Sequence, residues 1–201
     1  MTTSLDDLKA PIIVIFKQIV ANQIKAGNKG RCLFLYKNAD ITGSYRLTTY
    51  KSAVLSLDDA DLERYVKQLF AGGCKVVHVL EYPSTVADVK TVMDELLPEF
   101  DWLTSVDSDA QSTIDSYADE KEKFAMVYNI QADSINVCSL SNPTAVLKLD
   151  DGTTESITGL ELLPIVCGVA CGCPYNMSIS YKVFTELKSV EQPSTYNQGQ
   201  L

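Results

Sequence analysis

The sequence from residue 31 to residue 128 alternates short apolar segments with amphipathic helical segments. Residues 32–36, 75–80 and 124–128 are mostly apolar runs, a pattern typical of strands that are covered on both faces. A shorter strand begins at Trp102. Strands that alternate with helices are normally joined by right-handed crossovers, so this order predicts an α/β fold. We expect a mostly parallel sheet with helices on both faces.

The first helix of this unit is predicted from a capping box, in which Ser56 and Asp59 satisfy free N–H groups at the helix start. Gly72 and Gly73 are predicted to end it, because glycine readily adopts the left-handed conformation found at helix ends. The stripe expected to be buried consists of Leu62, Tyr65, Val66, Leu69 and Phe70.

Two further helices have starts that can be read from the sequence. Ser84 is predicted to cap the second helix, and Pro98 to stop it. Ser108 and Gln111 form a capping box for the third. The residues expected to face inward are Val86, Val89, Met93, Leu96 and Leu97 in the second helix and Ile114, Tyr117 and Ala118 in the third.

The pattern changes at about residue 132, where a smaller α+β portion is expected. Residues 150–152, Asp-Asp-Gly, lie between two short strand segments and predict a hairpin turn. The almost wholly apolar stretch 158–174 predicts a buried helix, which Thr158 and Glu161 could cap. Pro164 either kinks this helix or is its first residue.

A long alternating strand is predicted over residues 178–190, with apolar side chains on one face. The polar tail that follows cannot pair with it, so its partner must lie earlier in the chain or in another subunit. The apolar face consists of Ile179, Tyr181, Val183 and Leu187. A strand over residues 12–16, followed by a short helix that Gly27 ends, is predicted near the beginning of the chain.

Charge and hydropathy exclude several classes of partner. The 201 residues carry a formal net charge of -9, and no basic stripe interleaved with aromatic residues is present, so nucleic acid is not expected as a partner. The acidic beginning of the chain does not resemble a secretion signal. The longest apolar stretch, residues 160–173, is shorter than the roughly 20 residues needed to cross a bilayer, and we expect no membrane partner.

The six cysteines are interpreted as free thiols, because five of them lie in apolar stretches of a chain that can form a core without disulfides. Cys167, Cys171 and Cys173 could converge on a metal ion. However, no paired Cys-X-X-Cys motifs are present, and small residues suit a tightly packed helix equally well. We therefore predict no metal site and no cofactor.

No catalytic constellation is predicted. His78 is the only histidine, lies within a strand and has no nucleophile at a familiar spacing, which favours a structural role. The segment 27–31, Gly-Asn-Lys-Gly-Arg, leads into a strand and is interpreted as a turn rather than a phosphate loop. Paired acidic residues fall at helix starts and turns. The chain is therefore not expected to be an enzyme.

Three segments resemble the tail sheath proteins of contractile phages and of phage-tail-like bacteriocins from Gram-positive bacteria. They are residues 12–31, residues 100–109 (Phe-Asp-Trp-Leu-Thr-Ser-Val-Asp-Ser-Asp) and residues 158–191. In that family a short strand ending in Phe-Lys precedes a helix, a turn and a buried strand. An α/β layer, a hairpin, a helix rich in Ala and Gly and a long strand then follow. This sequence resembles that order from about residue 11 to residue 191.

The resemblance implies a structural subunit that polymerises around an inner tube and contracts to drive the tube through a cell envelope. Implied partners are other sheath subunits, joined by strand exchange, and tail tube and baseplate proteins. The implied location is a phage tail or a tail-like particle such as one of prophage origin, made and assembled in the bacterial host cytoplasm. Family members continue into a further C-terminal domain, so we expect a fragment or a shortened homologue.

The expected organisation has four parts. Residues 1–30 would form a linking segment of a strand and a short helix, and residues 31–131 the α/β layer domain. Residues 132–192 would form the α+β portion that completes the sheath core, and residues 193–201 a polar tail. The strand over residues 12–16 either links to a neighbouring subunit or pairs within its own sheet.

A rival hypothesis is an enzyme or sensor that binds a small ligand on a doubly wound sheet. Such a ligand would lie at the carboxyl ends of the strands, near residues 36–40, 81–84 and 105–108. Neither a glycine-rich phosphate turn nor a cluster of titratable residues is evident there in the sequence, which favours the structural role.

Overall fold

The computed structural model describes residues 30–39, 43–130, 136–140, 144–149, 151–173 and 187–191. The predicted strand 12–16, the helix after it and the tail 193–201 lie outside these ranges, as does most of the predicted strand 178–190.

The larger sheet has six strands in the order β2-β3-β1-β4-β5-β6. Only β2 runs antiparallel, against β3, and the remaining pairs are parallel. This confirms the predicted mostly parallel α/β sheet. The strands are β1 (Arg31–Lys37), β2 (Ser44–Leu47), β3 (Val76–Tyr82), β4 (Trp102–Ser105), β5 (Phe124–Tyr128) and β6 (Val137–Leu140).

Helices cover both faces of this sheet, as predicted. The α-helices are α1 (Tyr50–Ser56), α2 (Ala60–Gly72), α3 (Lys90–Glu95), α4 (Gln111–Glu120) and α5 (Gly159–Gly172). Short 3₁₀ helices span Val86–Val89, Leu97–Glu99 and Ser108–Ala110. One core cluster joins α2 and α5 to residues such as Phe34 and Val79, and a second joins α3 and α4 to residues such as Leu33 and Leu80. Successive strand residues point to opposite faces, which separates the two cores.

The predicted cap of the first helix is wrong, because Ser56 ends α1 instead of starting α2. The N-cap of α2 is Asp59, whose Oδ1 accepts hydrogen bonds from the N–H groups of Asp61 and Leu62, both at 2.9 Å. Asp59 binds these groups directly, so no capping box with Ser56 is needed. The predicted end is confirmed, since Gly73 has a left-handed φ of 116°.

Two other predicted caps are also shifted by one residue. Thr85, not Ser84, forms a capping box with Asp88, and the helix begins as a 3₁₀ turn. Pro98 lies inside the 3₁₀ helix that follows α3 and does not itself stop α3. Asp107, not Ser108, accepts from the N–H of Asp109 at 3.0 Å. In each case a neighbouring side chain of the same capping class occupies the position.

Gln111 was predicted to complete a capping box, but its side chain instead binds main-chain groups at the ends of two strands. Its Nε2 donates to the carbonyl oxygens of Ser105 at 2.9 Å and Asp107 at 2.7 Å. Its Oε1 accepts from the N–H of Tyr128 at 2.9 Å. The side chain is buried, so these bonds satisfy its own amide group in a place with little access to water. Gln111 therefore joins the carboxyl ends of β4 and β5 to α4.

The smaller sheet has three antiparallel strands in the order β8-β7-β9. They are β7 (Thr144–Lys148), β8 (Thr154–Ile157) and β9 (Leu187–Glu191). The smaller α+β portion with a hairpin and a helix is thus confirmed. α5 follows β8 directly. It packs against the small sheet and against the large sheet.

Candidate assembly surface

The hairpin of the small sheet forms where the Asp-Asp-Gly segment predicted it. Gly152 has a φ of 84°, a conformation that favours glycine, and its N–H donates to the Leu149 carbonyl at 3.0 Å. The Asp151 carboxylate accepts from the N–H of Thr153 at 2.8 Å and from its hydroxyl at 2.6 Å. These bonds, with the hydroxyl contributing most, lower the pKa of Asp151. The turn therefore sets the register between β7 and β8.

The start of α5 also agrees with the sequence prediction. The N–H of Thr158 donates to Glu161 Oε2 at 2.8 Å, and the N–H of Glu161 donates to Thr158 Oγ1 at 3.4 Å. This reciprocal capping box begins the helix directly after β8. Pro164 lies inside the helix, so the alternative in which Pro164 is its first residue is wrong.

α5 packs between the two sheets and belongs to two core clusters. Leu163 and Cys167 join the core of the large sheet, whereas Leu162 and Ile165 join the core of the small one. A helix that is apolar on most of its surface can bury both sides in this way. The small sheet contributes Ala145, Leu147, Ile157 and Leu187 to its own cluster.

Glycines allow α2 and α5 to approach until their main chains touch. A Cβ atom on Gly72 would lie 2.3 Å from the carbonyl carbon of Gly168, and a Cβ on Gly168 would lie 2.9 Å from the Leu69 oxygen. Side chains larger than hydrogen would force the helices apart. The contact therefore depends on glycine at these positions, and it fixes α5 against the large sheet.

Arg64 of α2 connects the body of the protein to the small sheet and to α5. Its guanidinium lies 3.2 Å from Glu155 of β8 and 3.5 Å from Glu161 of α5. It also lies over the Tyr65 ring, 5.1 Å from the centroid. These groups are partly exposed, so each ion pair contributes up to about 1 kcal/mol. Their main effect is to orient the small sheet.

The outer strands of the small sheet, β8 and β9, each pair only with β7 within the described residues. The pairing of β9 confirms that this strand has a partner earlier in the chain. β9 carries one extra residue near Lys188, opposite the step from Val146 to Leu147. Each outer strand therefore has an edge at which another strand could add.

The rival ligand site at the carboxyl ends of the large sheet is occupied mainly by contacts within the protein. Lys37 Nζ lies 3.4 Å from Asp109 Oδ2 and 3.8 Å from Asp107 Oδ2. The Tyr82 hydroxyl donates to the same Asp107 oxygen at 2.7 Å. Burial, followed by this hydrogen bond, raises the pKa of Tyr82. Within the described part of this sheet end, these polar groups therefore satisfy one another.

A cleft of about 240 Å³ opens beside Glu81 at the same end of the sheet. Glu81 is 3% exposed, and its Oε1 accepts from Asn38 Nδ2 at 3.1 Å. Its Oε2 accepts no hydrogen bond with good geometry. Tyr45 lies close by, and burial followed by the Glu81 charge raises the pKa of Tyr45. The cleft is also lined by Leu57, Asp58, Asp59 and Leu62.

His78 lies in β3, 3% exposed, and its Nε2 makes no hydrogen bond within the described structure. Burial, followed by the charge of Arg46, lowers its pKa. A neutral buried imidazole in the middle of a strand agrees with the structural role predicted for this residue.

The six cysteines are free, as predicted, and all but Cys138 are buried. Four of them lie in one core cluster: Cys32 Sγ is 3.8 Å from Cys167 Sγ, and Cys74 and Cys171 belong to the same cluster. Among the described residues, no group of three or more Cys, His, Asp or Glu is placed to hold a metal ion. The sequence grouped Cys167 and Cys171 with Cys173 and left Cys138 or Cys32 as a possible fourth thiol, but it did not indicate Cys74, which chain folding brings from another element.

Across the described ranges, none of the helices has the length and apolar character needed to span a membrane.

Comparisons with known proteins point in one direction. No family model and no curated protein matches the sequence. The structure is similar to the crystal structure of the sheath tail protein from Desulfitobacterium hafniense, with a TM-score of 0.58 and 14% identity over 87% of this chain and 66% of that chain. It is also similar to the anti-feeding prophage helical sheath in its contracted state, seen by cryo-EM. That match has a TM-score of 0.51 and 13% identity over 69% of this chain and 45% of that chain.

This chain therefore spans 66% and 45% of the length of these two proteins. Both are sheath proteins. Identities this low establish the fold alone, and the resemblance drawn from the sequence is confirmed at that level. The chain adopts the fold of contractile tail sheath proteins.

Proposed function

We propose that this protein is a structural subunit of a contractile tail sheath. The observation that carries the proposal is the sheath fold, combined with a small sheet whose outer strands pair on one side only among the described residues. A subunit that joins a polymer needs surfaces of this kind. An enzyme would need a cluster of reactive groups, and the polar groups at the carboxyl ends of the large sheet are largely paired with one another.

Neighbouring copies would be joined by adding a strand to the edge of β8 or β9. Main-chain hydrogen bonds across such an edge provide affinity, and alternate side chains provide specificity. Residues 12–16, Ile-Ile-Val-Ile-Phe, are the proposed linking segment, because β-branched residues suit an added strand. A contact of this type is heterologous and does not close, so repetition produces a helical assembly.

Contraction would then move subunits as rigid bodies from an extended to a compact lattice. The close main-chain contact between α2 and α5 supports this mechanism, because it joins the small sheet firmly to the large one. The remaining partners would be tail tube and baseplate proteins. The assembly site would be a phage tail or tail-like particle formed in the bacterial host cytoplasm.

Electron microscopy combined with light scattering tests the proposal. We expect the purified chain, or a form extended by natural downstream coding sequence, to form rings or tubes. The double substitution Ile13→Asp and Ile15→Asp should abolish them, because two carboxylates would be introduced on one face of the linking strand. Thr2→Asp with Ser4→Asp is the matched control and should leave assembly unchanged. Monomers from both wild-type forms would overturn the proposal.

A further inference from the structure

The four buried thiols that meet beside α5 form a cluster that the proposed function does not use. Cys32 begins the buried part of β1, Cys74 follows α2, and Cys167 and Cys171 lie one turn apart on α5. All four are at most 6% exposed. We propose that this cluster is an oxidation site, at which a peroxide links Cys74 to Cys171 in an intrachain disulfide.

The main chains of the two elements approach closely at this position. A Cβ atom on Gly172 would lie only 2.6 Å from the Cα of Gly73. Cys74 and Cys171 are the residues directly next to this contact. Disulfides require Cα atoms about 4.4–6.8 Å apart, so a close main-chain approach is the geometry that favours a bond between these two residues.

Cys74 is the thiol that an oxidant would reach first. It is 6% exposed, whereas Cys32 and Cys167 are fully buried and Cys171 is 1% exposed. Hydrogen bonds from the thiols of Cys171 and Cys32 lower the pKa of Cys74, although burial opposes this effect. The hydrogen bond to Cys74 and burial raise the pKa of Cys171. The thiolate, which is the reactive form, therefore forms preferentially on Cys74.

The reaction consumes one peroxide for each disulfide. The Cys74 sulfur attacks hydrogen peroxide, an S–O bond forms, the O–O bond breaks and water leaves, which gives a sulfenic acid. The Cys171 sulfur then attacks the sulfenic sulfur, an S–S bond forms and a second water leaves. Two thiol protons end in water, and two electrons pass from the sulfurs to the peroxide.

The bond would connect the end of α2 to the end of α5, and α5 carries the small sheet. A link between residues so distant in sequence restricts the unfolded chain strongly. We therefore expect the oxidised protein to melt several degrees above the reduced one, and a reducing agent to reverse the change. This inference does not depend on the proposed sheath function.

The test is to treat the full chain with hydrogen peroxide, unfold it, alkylate it with iodoacetamide and measure its mass. Untreated protein should gain six alkyl groups, one for each cysteine, and treated protein four. Peptide mapping should recover Cys74 linked to Cys171. The Cys138→Ser protein, which lacks the exposed thiol, should still lose two reactive thiols on peroxide treatment. The Cys74→Ser protein should lose none.

Two results would overturn the inference. One is a treated protein that keeps six reactive thiols, and the other is a disulfide between any other pair, including Cys32 and Cys167. The mapping uses the unaltered chain, so it decides the question even if Cys74→Ser does not fold. Conversion of Cys74 to a sulfonic acid without any linked peptide would also contradict the inference.

Discussion

The six-stranded and three-stranded sheets differ in how completely this chain covers them. The large sheet has apolar clusters on both faces, built by α2 and α5 on one side and by α3 and α4 on the other. The small sheet has one apolar cluster, and residues of its hairpin such as Thr154 and Ser156 are exposed. Among the described residues, the large sheet is therefore the more completely packed part of the protein, and the small sheet is the less covered part.

The strongest test of the packing against the large sheet is the substitution Gly72→Ala. Its Cβ would lie 2.3 Å from the Gly168 carbonyl carbon, and main-chain atoms cannot move aside as side chains can. We expect a loss of about 3 kcal/mol in the free energy of unfolding, despite the better helix propensity of alanine. Urea denaturation measures this loss in the free energy of unfolding.

Gly152→Ala is the matched control, because its Cβ would meet no atom within 4 Å. Its positive φ makes alanine unfavourable by about 1 kcal/mol. Equal losses for the two substitutions would show that the α2–α5 contact is not as close as described.

Gln111→Leu should cost about 2–3 kcal/mol, because it removes three hydrogen bonds, two to the carbonyl oxygens of Ser105 and Asp107 and one from the N–H of Tyr128. Thermal unfolding measures the loss. Ser112→Ala is the control, since Ser112 is exposed and next in sequence, and its Tm should stay within about 1 °C of wild type. A Gln111→Leu protein as stable as this control would show that Gln111 does not stabilise the large sheet.

Thr158→Ala should cost about 1 kcal/mol, because it removes the cap of α5. Hydrogen exchange should show the change mainly in the first turn of α5. Thr113→Ala, an exposed threonine inside α4, should not alter exchange in α5. Faster exchange throughout the large sheet would mean that the two regions unfold together and are less distinct than their cores indicate.

The smallest expected effect is that of Glu81→Gln. Its Oε2 is buried without a hydrogen bond, and no ion pair reaches this carboxylate among the described residues. An amide removes a buried charge, so we expect a gain of up to about 1 kcal/mol, or a rise of roughly 2–4 °C in Tm. A fall in Tm would instead show that the carboxylate stabilises the fold, and calorimetry distinguishes the two results.

Local sequence patterns predicted the helices and strands well, but they predicted less well the residues at which the helices begin. Phe124–Tyr128 was predicted with the observed bounds, because a continuous apolar run has few alternative readings. Thr158 and Gly73 were identified correctly as helix boundaries. Ser56, Ser84 and Ser108 were not caps, because each lies within three residues of an Asp or Thr that can cap equally well. The helix α1 was not predicted.

Contacts between distant elements could not be read from the sequence. Arg64 reaches Glu155 and Glu161 only because α2 packs beside the small sheet. Cys74 meets Cys171 for a similar reason, since nothing in the spacing of the cysteines indicates which elements become neighbours. The four-part division at residues 30, 131 and 192 stays a prediction.

Cryo-electron microscopy of the polymers expected from this chain, or from its form extended by natural downstream coding sequence, tests the central claim most directly, because it locates the contacts between copies. The account predicts a helical array in which a strand from one copy adds to the edge of β8 or β9 in its neighbour. Polymers in which both edges of the small sheet remain uncovered would contradict it, and so would both forms of the chain staying monomeric at every concentration.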